Sequence, residues 1–192
     1  KLWSVSLKRE ITSGVSIDER HVYVGTINGE IVALDKNSGS EIWVKSLDSE
    51  IIAPPSAAND MVVTQTSSGK VYALSSVDGQ QKWRYDSPVP PLTLRGGSRA
   101  SFFSNFVVVG QSDGKIAILD AGTGQLKWEP RVAEASGDTE IERIIDIDSA
   151  VLLDNSQLFS VSYQGQLVSY ELQTGRILWF EDESSYKDMA QD

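Results

Sequence analysis

The chain has 192 residues, 40% of them hydrophobic, and is long enough to bury the core of one domain or of a large piece of one. Its 27 acidic and 17 basic residues give a net charge of −10, and Lys and Arg form no cluster suited to a nucleic-acid backbone or an anionic lipid surface. The absence of cysteine excludes disulfides, thiolate metal sites and cysteine nucleophiles, and leaves the redox compartment open.

The sequence carries no sign of a membrane or export segment. It has no run of about 18 apolar residues, so we expect no part of it to span a membrane as a helix. Its first ten residues, KLWSVSLKRE, lack the apolar stretch and the cleavage site of a secretory signal peptide. If the protein is exported, we expect its targeting segment to lie outside this sequence.

A repeated module organises the chain after a short first segment. That segment, KLWSVSL at 1–7, is predicted to be the last strand of a preceding repeat. The module then occurs four times without a gap, as NGEIVALDKNSGSEIW at 28–43, SGKVYALSSVDGQQKW at 68–83, DGKIAILDAGTGQLKW at 113–128 and QGQLVSYELQTGRILW at 164–179. A period of about 40–50 residues indicates a repeat architecture.

Each copy of the module carries two glycines and a tryptophan at constant spacing. The second glycine follows the first by ten residues, and the tryptophan comes four residues after that. The first glycines are Gly29, Gly69, Gly114 and Gly165. The tryptophans are Trp43, Trp83, Trp128 and Trp179. We predict that these eight residues are structural elements of the repeat.

Each copy is predicted to form hairpins within a small antiparallel sheet. An apolar run such as HVYVG precedes the first glycine, which we place in a two-residue turn with the residue before it. The run after this glycine is apolar on both faces, which is typical of a strand covered on both sides. The second glycine is predicted to be left-handed in a longer hairpin with a bulge, and the tryptophan to lie in the next strand.

Four strands per repeat predict an all-β fold, a β-propeller of four-stranded antiparallel sheets called blades. About four blades are present, around residues 11–47, 51–87, 98–132 and 148–182 of one partial domain spanning 1–192. We expect each tryptophan to fill the space between neighbouring blades. Because an open ring exposes strand edges, we expect the chain to be a fragment of a larger propeller. A β-sandwich with unrelated aromatic residues is the less favoured alternative.

The connections between modules differ in length, although the module itself does not. From the tryptophan to the next first glycine the distance is 26 residues after Trp43, 31 after Trp83 and 37 after Trp128. Two consecutive connections are therefore enlarged. Since loops commonly carry specificity and consecutive blades are neighbours, we expect the two enlarged loops to form one surface.

The enlarged connections contain residue types suited to protein binding. The first, with PPLTLRGG at 90–97, offers Leu92 and Leu94 on one side of an extended chain, followed by Arg95. The second, with IERIIDID at 141–148, offers Asp146 and Asp148 on one side and isoleucines on the other. We expect the arginine to pair with the carboxylates across the loops. The alternative is that both leucines are core residues and the acids only solvate an edge.

PPLTLRGGS, followed about fifty residues later by DTEIERIIDID within these tryptophan repeats, resembles the BamB family. This family supplies the lipoprotein subunit of the outer-membrane β-barrel assembly machinery of Gram-negative bacteria. The resemblance covers essentially the whole chain, although the repeats alone are generic to pyrroloquinoline-quinone-type propellers. It implies an eight-bladed propeller in the periplasm, attached to the inner face of the outer membrane by an N-terminal lipid anchor. It also implies a scaffold without enzymatic activity, cofactor or metal.

The resemblance further implies a partner and the residues that bind it. The partner is BamA, through its periplasmic POTRA domains, with unfolded outer-membrane proteins as further candidates; nucleic acid and a direct membrane span are not implied. By motif, the binding residues are Leu92, Thr93, Leu94, Arg95, Asp146 and Asp148. Gly97 replaces an acidic residue expected in the family, which puts the tip of the first loop in doubt. The cysteine that carries the anchor and several blades are absent from this chain.

Two other functions stay open on the sequence. A quinoprotein dehydrogenase has similar repeats, but its site needs a metal held by oxygen ligands and a carboxylate base, and Asp146 and Asp148 alone are too few for Ca²⁺. A propeller that binds some other peptide would share the architecture but not the two loops. His21 is the only histidine; we expect it to be structural, because no Ser-His-Asp set can be assembled around it.

Overall fold

The computed structural model describes residues 3–88, 97–132, 147, 151–162, 166–172, 174–183 and 185. Within this part of the chain every regular element is a β-strand, and the strands form four antiparallel sheets of four strands each. The chain divides into two compact units, Lys1–Asp86 and Ser87–Asp192, and each unit contains two sheets. The predicted all-β fold of four-stranded antiparallel blades is confirmed.

The first unit contains β1 to β8. Its first sheet has the order β1-β2-β3-β4, with the bounds Ser16–Ile17, His21–Gly25, Glu30–Asp35 and Glu41–Ser46. Its second sheet has the order β5-β6-β7-β8, with the bounds Ser56–Ala58, Met61–Gln65, Lys70–Ser75 and Gln81–Asp86. Each strand pairs with the next along the chain, so both sheets are hairpins joined in series.

The second unit contains β9 to β16 in the same arrangement. Its first sheet consists of β9 to β12, with the bounds Ser101–Phe103, Phe106–Gly110, Ile116–Asp120 and Leu126–Trp128. Its second sheet consists of β13 to β16, with the bounds Leu152–Asp154, Gln157–Val161, Leu167–Glu171 and Ile177–Glu181. The four modules therefore correspond to the third and fourth strands of the four sheets with their turns.

The central strands are buried on both faces, as the apolar runs predict. In β3 the four residues from Ile31 to Leu34 are at most 3% exposed, and in β7 those from Val71 to Leu74 are at most 5% exposed. Strands covered on both sides need apolar side chains at successive positions, whereas a half-exposed strand alternates. The sheets of each unit therefore pack through the faces of these central strands.

The predicted two-residue turn at the first module glycine is wrong. In the first sheet Thr26 N donates to Glu30 O over 3.0 Å, and Gly29 N donates to Thr26 O over 3.1 Å. Three residues, 27–29, thus form the loop, and among them φ is positive at Gly29 alone, at +76°. This geometry is a type I turn followed by a left-handed glycine. The same bonds recur in the second and third modules; Gly165 of the fourth lies outside the described residues.

A two-residue turn of the predicted kind occurs at a different place in the repeat. Asn59 and Asp60 join β5 to β6, and their φ angles are +52° and +55°. A type I′ turn needs positive φ at both central residues, which Asn and Asp tolerate better than most side chains do. The tight turn therefore connects the first and second strands, not the second and third.

The second module glycine takes the predicted left-handed conformation. Its φ is +74° at Gly39, +70° at Gly79, +71° at Gly124 and +71° at Gly175. Gly39 N donates to Asp35 O over 2.8 Å, and the pairing of β3 with β4 shifts register between Ala33 and Leu34. The predicted longer hairpin with a bulge is confirmed.

The module tryptophan packs on the second glycine of the following sheet. A Cβ atom added to Gly79 would lie 2.6 Å from Cε3 of Trp43, so a side chain at this position would displace the indole. Trp43 Nε1 donates to Ser76 O over 3.0 Å, in the same turn as Gly79. The glycine is therefore needed twice, for its positive φ and for the close approach of the ring.

The same packing occurs at two other tryptophans. A Cβ atom on Gly39 would lie 2.6 Å from Cε3 of Trp3, whose Nε1 donates to Lys36 O over 2.9 Å. A Cβ atom on Gly175 would lie 3.2 Å from Trp128. Trp43 in the first unit and Trp128 in the second thus fill the space between neighbouring sheets, as predicted. Trp179 differs, because 40% of it is exposed.

We expect Trp43→Ala to lower the free energy of unfolding by about 3–5 kcal/mol, because it empties a buried, hydrogen-bonded site between two sheets. Trp179→Ala removes a partly exposed ring and should cost far less. Urea unfolding of both variants, followed by circular dichroism, measures the difference. Equal losses would contradict the assigned role of Trp43.

Gly79→Ala is expected to destabilise the chain by about 2 kcal/mol or more, because it combines a left-handed backbone with a clash against Trp43. Gly122→Ala is the matched control: the nearest atom to its added Cβ is Asp120 Oδ1, at 3.5 Å. Thermal unfolding of the two variants checks this expectation. Similar melting temperatures for both would argue against the packing requirement.

Candidate protein-binding site

The six residues predicted to bind a partner lie outside the described residues. They are Leu92, Thr93, Leu94, Arg95, Asp146 and Asp148. The structure does describe the residues that flank them, namely Ser87 and Pro88, then Gly97, and in the second connection Val132 and Ile147. The way in which these flanking residues are held defines the candidate site.

A short connection shows how the repeat joins one sheet to the next. Leu47 N donates to Gly29 O over 2.8 Å, and Ile51 N donates to Thr26 O over 3.2 Å. Both acceptors belong to the turn between the second and third strands. Only three residues, 48–50, lie between the two bonded positions, so the connection crosses the end of the sheet directly.

The second enlarged connection uses the same two bonds. Val132 N donates to Gly114 O over 2.8 Å, and Ile147 N donates to Gln111 O over 3.4 Å. Fourteen residues, 133–146, lie between these positions, where the short connection has three. This difference accounts for all the extra length, so the insertion adds chain without altering the sheets that it joins.

Ile147 is fixed where the second insertion rejoins the sheet. It is 1% exposed, and a Cβ atom on Gly110 would lie 2.5 Å from its Cγ2 atom. In the first unit Ile51 packs in the same way, because a Cβ atom on Gly25 would lie 2.4 Å from its Cγ2 atom. Of the residues 145–148, for which the sequence predicts aspartates on one side and isoleucines on the other, the structure describes Ile147 alone and buries it.

The first enlarged connection follows the same frame by sequence position. Ser87 comes four residues after Trp83, as Val132 does after Trp128. Ile147 lies 18 residues before the next first glycine, and the residue at that distance before Gly114 is number 96. Eight residues, 88–95, therefore stand where the short connection has three. They contain the predicted leucines and arginine.

The side chain of Gln111 links the start of the first insertion to the segment that leads from β12 into the second. It is 1% exposed. Its Oε1 atom accepts a hydrogen bond from Ser87 Oγ, and its Nε2 atom donates to Glu129 Oε1 over 3.0 Å. Its backbone oxygen accepts the bond from Ile147 described above. We call Ser87, Gln111, Glu129 and Ile147 the Gln111 network.

Charged neighbours hold Glu129 in place. Lys115 Nζ lies 2.8 Å from Glu129 Oε2 and 3.0 Å from Asp113 Oδ2. Hydrogen bonds to Glu129 and to Asp113 raise the pKa of Lys115, because they favour the ammonium form. The carboxylate of Glu129 is thereby shared between a cation and the amide of Gln111.

Tyr170 fixes the strand that leads to the second insertion. Its hydroxyl donates to Arg131 O, and its ring meets Trp128 edge-on, with centroids 6.4 Å apart. Burial raises the pKa of Tyr170 to about 12, so the phenol remains a donor at neutral pH. The chain thus leaves the sheet at a well-defined point.

His21, the remaining candidate from the sequence, lies in a small polar cluster of the first sheet. His21 Nδ1 lies 3.2 Å from the hydroxyl of Tyr23 and 3.5 Å from Asp18 Oδ2, all near the turn between β1 and β2. Among the described residues, no group of three or more His, Cys, Asp or Glu side chains is placed to hold a metal ion. No helix with the length and apolar character of a membrane span occurs there either.

Comparison with known proteins gives the family. The model of the family described as "Outer membrane protein assembly factor BamB" matches residues 1–192. This chain belongs to the BamB family. The protein of that name in Nitrosomonas eutropha is 33% identical over 192 residues, which cover 100% of this chain and 47% of the relative. The chain spans about half the length of the curated relatives that it matches.

Solved structures agree with this assignment. The crystal structure of BamB from Moraxella catarrhalis is 34% identical, with a TM-score of 0.92 over 97% of this chain and 57% of that one. A quinohemoprotein alcohol dehydrogenase from Comamonas testosteroni is 18% identical, with a TM-score of 0.72 over 90% of this chain and 35% of that one. At 18% identity the second likeness shows a common fold alone. The predicted propeller fold and the predicted resemblance to BamB are confirmed.

Sequence reasoning missed Gln111, although the repeats carry a signal for it. The residue three positions before the first module glycine is a small hydroxyl residue in three copies, Thr26, Thr66 and Ser162. Only the copy between the two enlarged connections has an amide there. A long side chain at a position otherwise occupied by short ones indicates a contact beyond the hairpin.

The first unit closes its short connection with Asp48 in place of an amide. The carboxylate accepts hydrogen bonds from Thr66 Oγ1 at 3.1 Å, Ser68 Oγ at 2.5 Å, Lys70 Nζ at 2.6 Å and Tyr72 OH at 3.0 Å. Burial by itself would raise the pKa of Asp48, but these bonds favour the charged form and lower the pKa to about 2. Asp48 therefore ties the connection to the neighbouring hairpin.

Asp48 should contribute to stability in a pH-dependent way. Its pKa falls on folding from 3.8 to about 2, so its contribution is complete above pH 3.8 and is lost as the pH falls through 2. We expect Asp48→Asn to be less stable than wild type at pH 7 and to lose less stability on acidification. Urea unfolding at several pH values measures how the free energy of unfolding of each protein depends on pH. Asp60→Asn is the control, because its side chain is 76% exposed; a wild-type slope for Asp48→Asn would contradict the assignment.

Proposed function

We propose that this chain is part of a non-enzymatic scaffold that binds the POTRA domains of BamA and supports the assembly of outer-membrane β-barrel proteins. Membership of the BamB family supports the proposal, because the relatives are named as outer-membrane protein assembly factors. The protein would act in the periplasm at the inner face of the outer membrane, attached by an N-terminal lipid anchor. Unfolded outer-membrane proteins are further candidate partners.

The observation that carries the proposal is the placement of the extra chain. The repeat frame confines it to 88–95 and 133–146. The first segment starts next to Ser87 and the second ends next to Ile147, and both of these residues belong to the Gln111 network. Loops that a scaffold does not require are where binding specificity is usually found. The enlarged connections are therefore the best candidates for the partner surface.

The residues in these loops suit a protein partner. Leu92 and Leu94 form an apolar pair, and Arg95 is a residue type enriched at the energetic centres of interfaces. Within this proposal the partner adds its sheet edge along the first loop, which lets main-chain bonds supply affinity and the leucines supply specificity. Arg95 then pairs with Asp146 or Asp148, or with an acidic group of the partner.

We expect Leu94→Glu and Arg95→Ala each to reduce capture of purified BamA POTRA domains by at least about tenfold, since hot-spot residues contribute 2 kcal/mol or more. Biolayer interferometry or a pull-down with the purified chain measures the loss. Circular dichroism verifies that each variant is folded.

Two substitutions outside the loops serve as matched controls. Leu126→Glu changes a leucine that is 43% exposed on β12, and Arg176→Ala removes an arginine whose side chain is 71% exposed. Both should bind POTRA domains like wild type. Undiminished binding by folded Leu94→Glu and Arg95→Ala variants would contradict the assignment of the site. A wild-type chain that does not bind POTRA domains would contradict the proposed partner.

A further inference from the structure

We propose that Gln111 is a positioning residue that fixes the two insertions relative to each other and so pre-forms the partner surface. This inference rests on the proposed function for its biological meaning, but its structural part can be tested separately. It is carried by one observation: a single buried amide bonds Ser87, which directly precedes the first insertion, and Glu129, which lies three residues before Val132 at the start of the second.

The backbone contacts of Gln111 are common to the repeat. Its oxygen accepts from Gly114 N at 3.3 Å and from Ile147 N at 3.4 Å, and its nitrogen donates to Lys115 O at 2.8 Å. Thr26 makes the equivalent three bonds in the first sheet. These bonds form the turn and seat the incoming strand whatever the side chain is, so they do not explain a glutamine here.

The side-chain contacts of Gln111 are specific to this copy. At the equivalent position Thr66 Oγ1 reaches only Asp48, Ser68 and the oxygen of Lys70, all of which belong to its own connection and hairpin. Gln111 instead reaches Ser87, 24 residues before it, and Glu129, 18 residues after it. It therefore joins two different connections.

An amide suits this role chemically. Ser87 offers a hydroxyl donor and Glu129 a carboxylate acceptor, so the linking group must accept at one end and donate at the other. The primary amide does both with two atoms held in one plane. A glutamate here would keep the acceptor for Ser87 but would bring a second carboxylate against Glu129. A threonine is too short to span both partners.

The Gln111 network positions the two insertions, but it contains none of the residues proposed to contact the partner. Gln111 is 1% exposed, so it offers no surface to a partner. Its effect on binding would come through the loops that it holds, because a surface already ordered before binding loses less conformational entropy when the partner docks. Replacing Gln111 should therefore change the arrangement of the two insertions. Replacing Leu92, Leu94 or Arg95 should instead change the contact with the partner.

The first measurement is intramolecular and needs no partner. Because the chain has no cysteine, Val89→Cys and Ala135→Cys place one spin label in each insertion. We expect the distance distribution between the labels to be narrow with Gln111 and clearly broader in Gln111→Thr, which keeps the backbone bonds of the repeat. Thr66→Ala, the side-chain change at the equivalent position of the preceding sheet, should leave the distribution unchanged.

The second measurement is binding to BamA POTRA domains. Gln111→Thr is expected to weaken binding about tenfold while circular dichroism and melting temperature stay close to wild type. Gln111→Glu should behave like Gln111→Thr, since it loses the bond to Glu129. Ser87→Ala tests the inference without touching the buried position, and should broaden the label distances by removing one arm of the network.

The outcomes separate the two proposals. An unchanged label distribution in both Gln111→Thr and Ser87→Ala overturns the positioning role. A broader distribution in a protein that binds no POTRA domain, even as wild type, supports the positioning role and overturns the proposed partner. A broader distribution with undiminished POTRA binding shows that the loop arrangement does not pre-form the docking surface, and overturns that part of the inference.

Discussion

The contact between a tryptophan and a glycine of the next sheet is the constraint on which the rest of the structure depends. The indole ring lies directly against the glycine backbone, as Trp43 does against Gly79, and so determines how far apart the two sheets are. The glycine also takes the positive φ that closes its hairpin. Any change in length between the first glycine and the tryptophan would move the ring off its partner. This explains why the module has a constant length in all four copies.

The connections between sheets are free of that constraint. Because the bonds at Leu47 and Ile51 recur at Val132 and Ile147, additional chain enters between two fixed positions and leaves the sheets as they were. The same geometry that preserves the scaffold therefore permits loops of different length. Under the proposed function, this arrangement allows a partner surface to be added without a change in the core packing of the sheets.

Polar side chains close these connections in two different ways. Asp48 accepts four hydrogen bonds from one hairpin and its flanking residues, and so ties the short connection to that hairpin. Gln111 accepts and donates, which allows one side chain to join two long connections. In both cases the group is satisfied by several partners, and for Gln111 this is what makes burial of a polar side chain tolerable. A carboxylate, which only accepts, holds one connection to one hairpin, whereas an amide, which accepts and donates, holds two connections.

The sequence by itself determined the sheets, the left-handed second glycines and the burial of Trp43, because spacing and apolar runs are local and repeat four times. It misplaced the turn at Gly29, since Asn-Gly suits both a two-residue turn and the end of a type I turn, and only the bonds of Thr26 distinguish them. It also indicated where two loops grow. Only the tertiary structure decided that Ser87, Gln111 and Glu129 meet, because their contacts join positions 18 and 24 residues apart, and no local pattern encodes such a pairing.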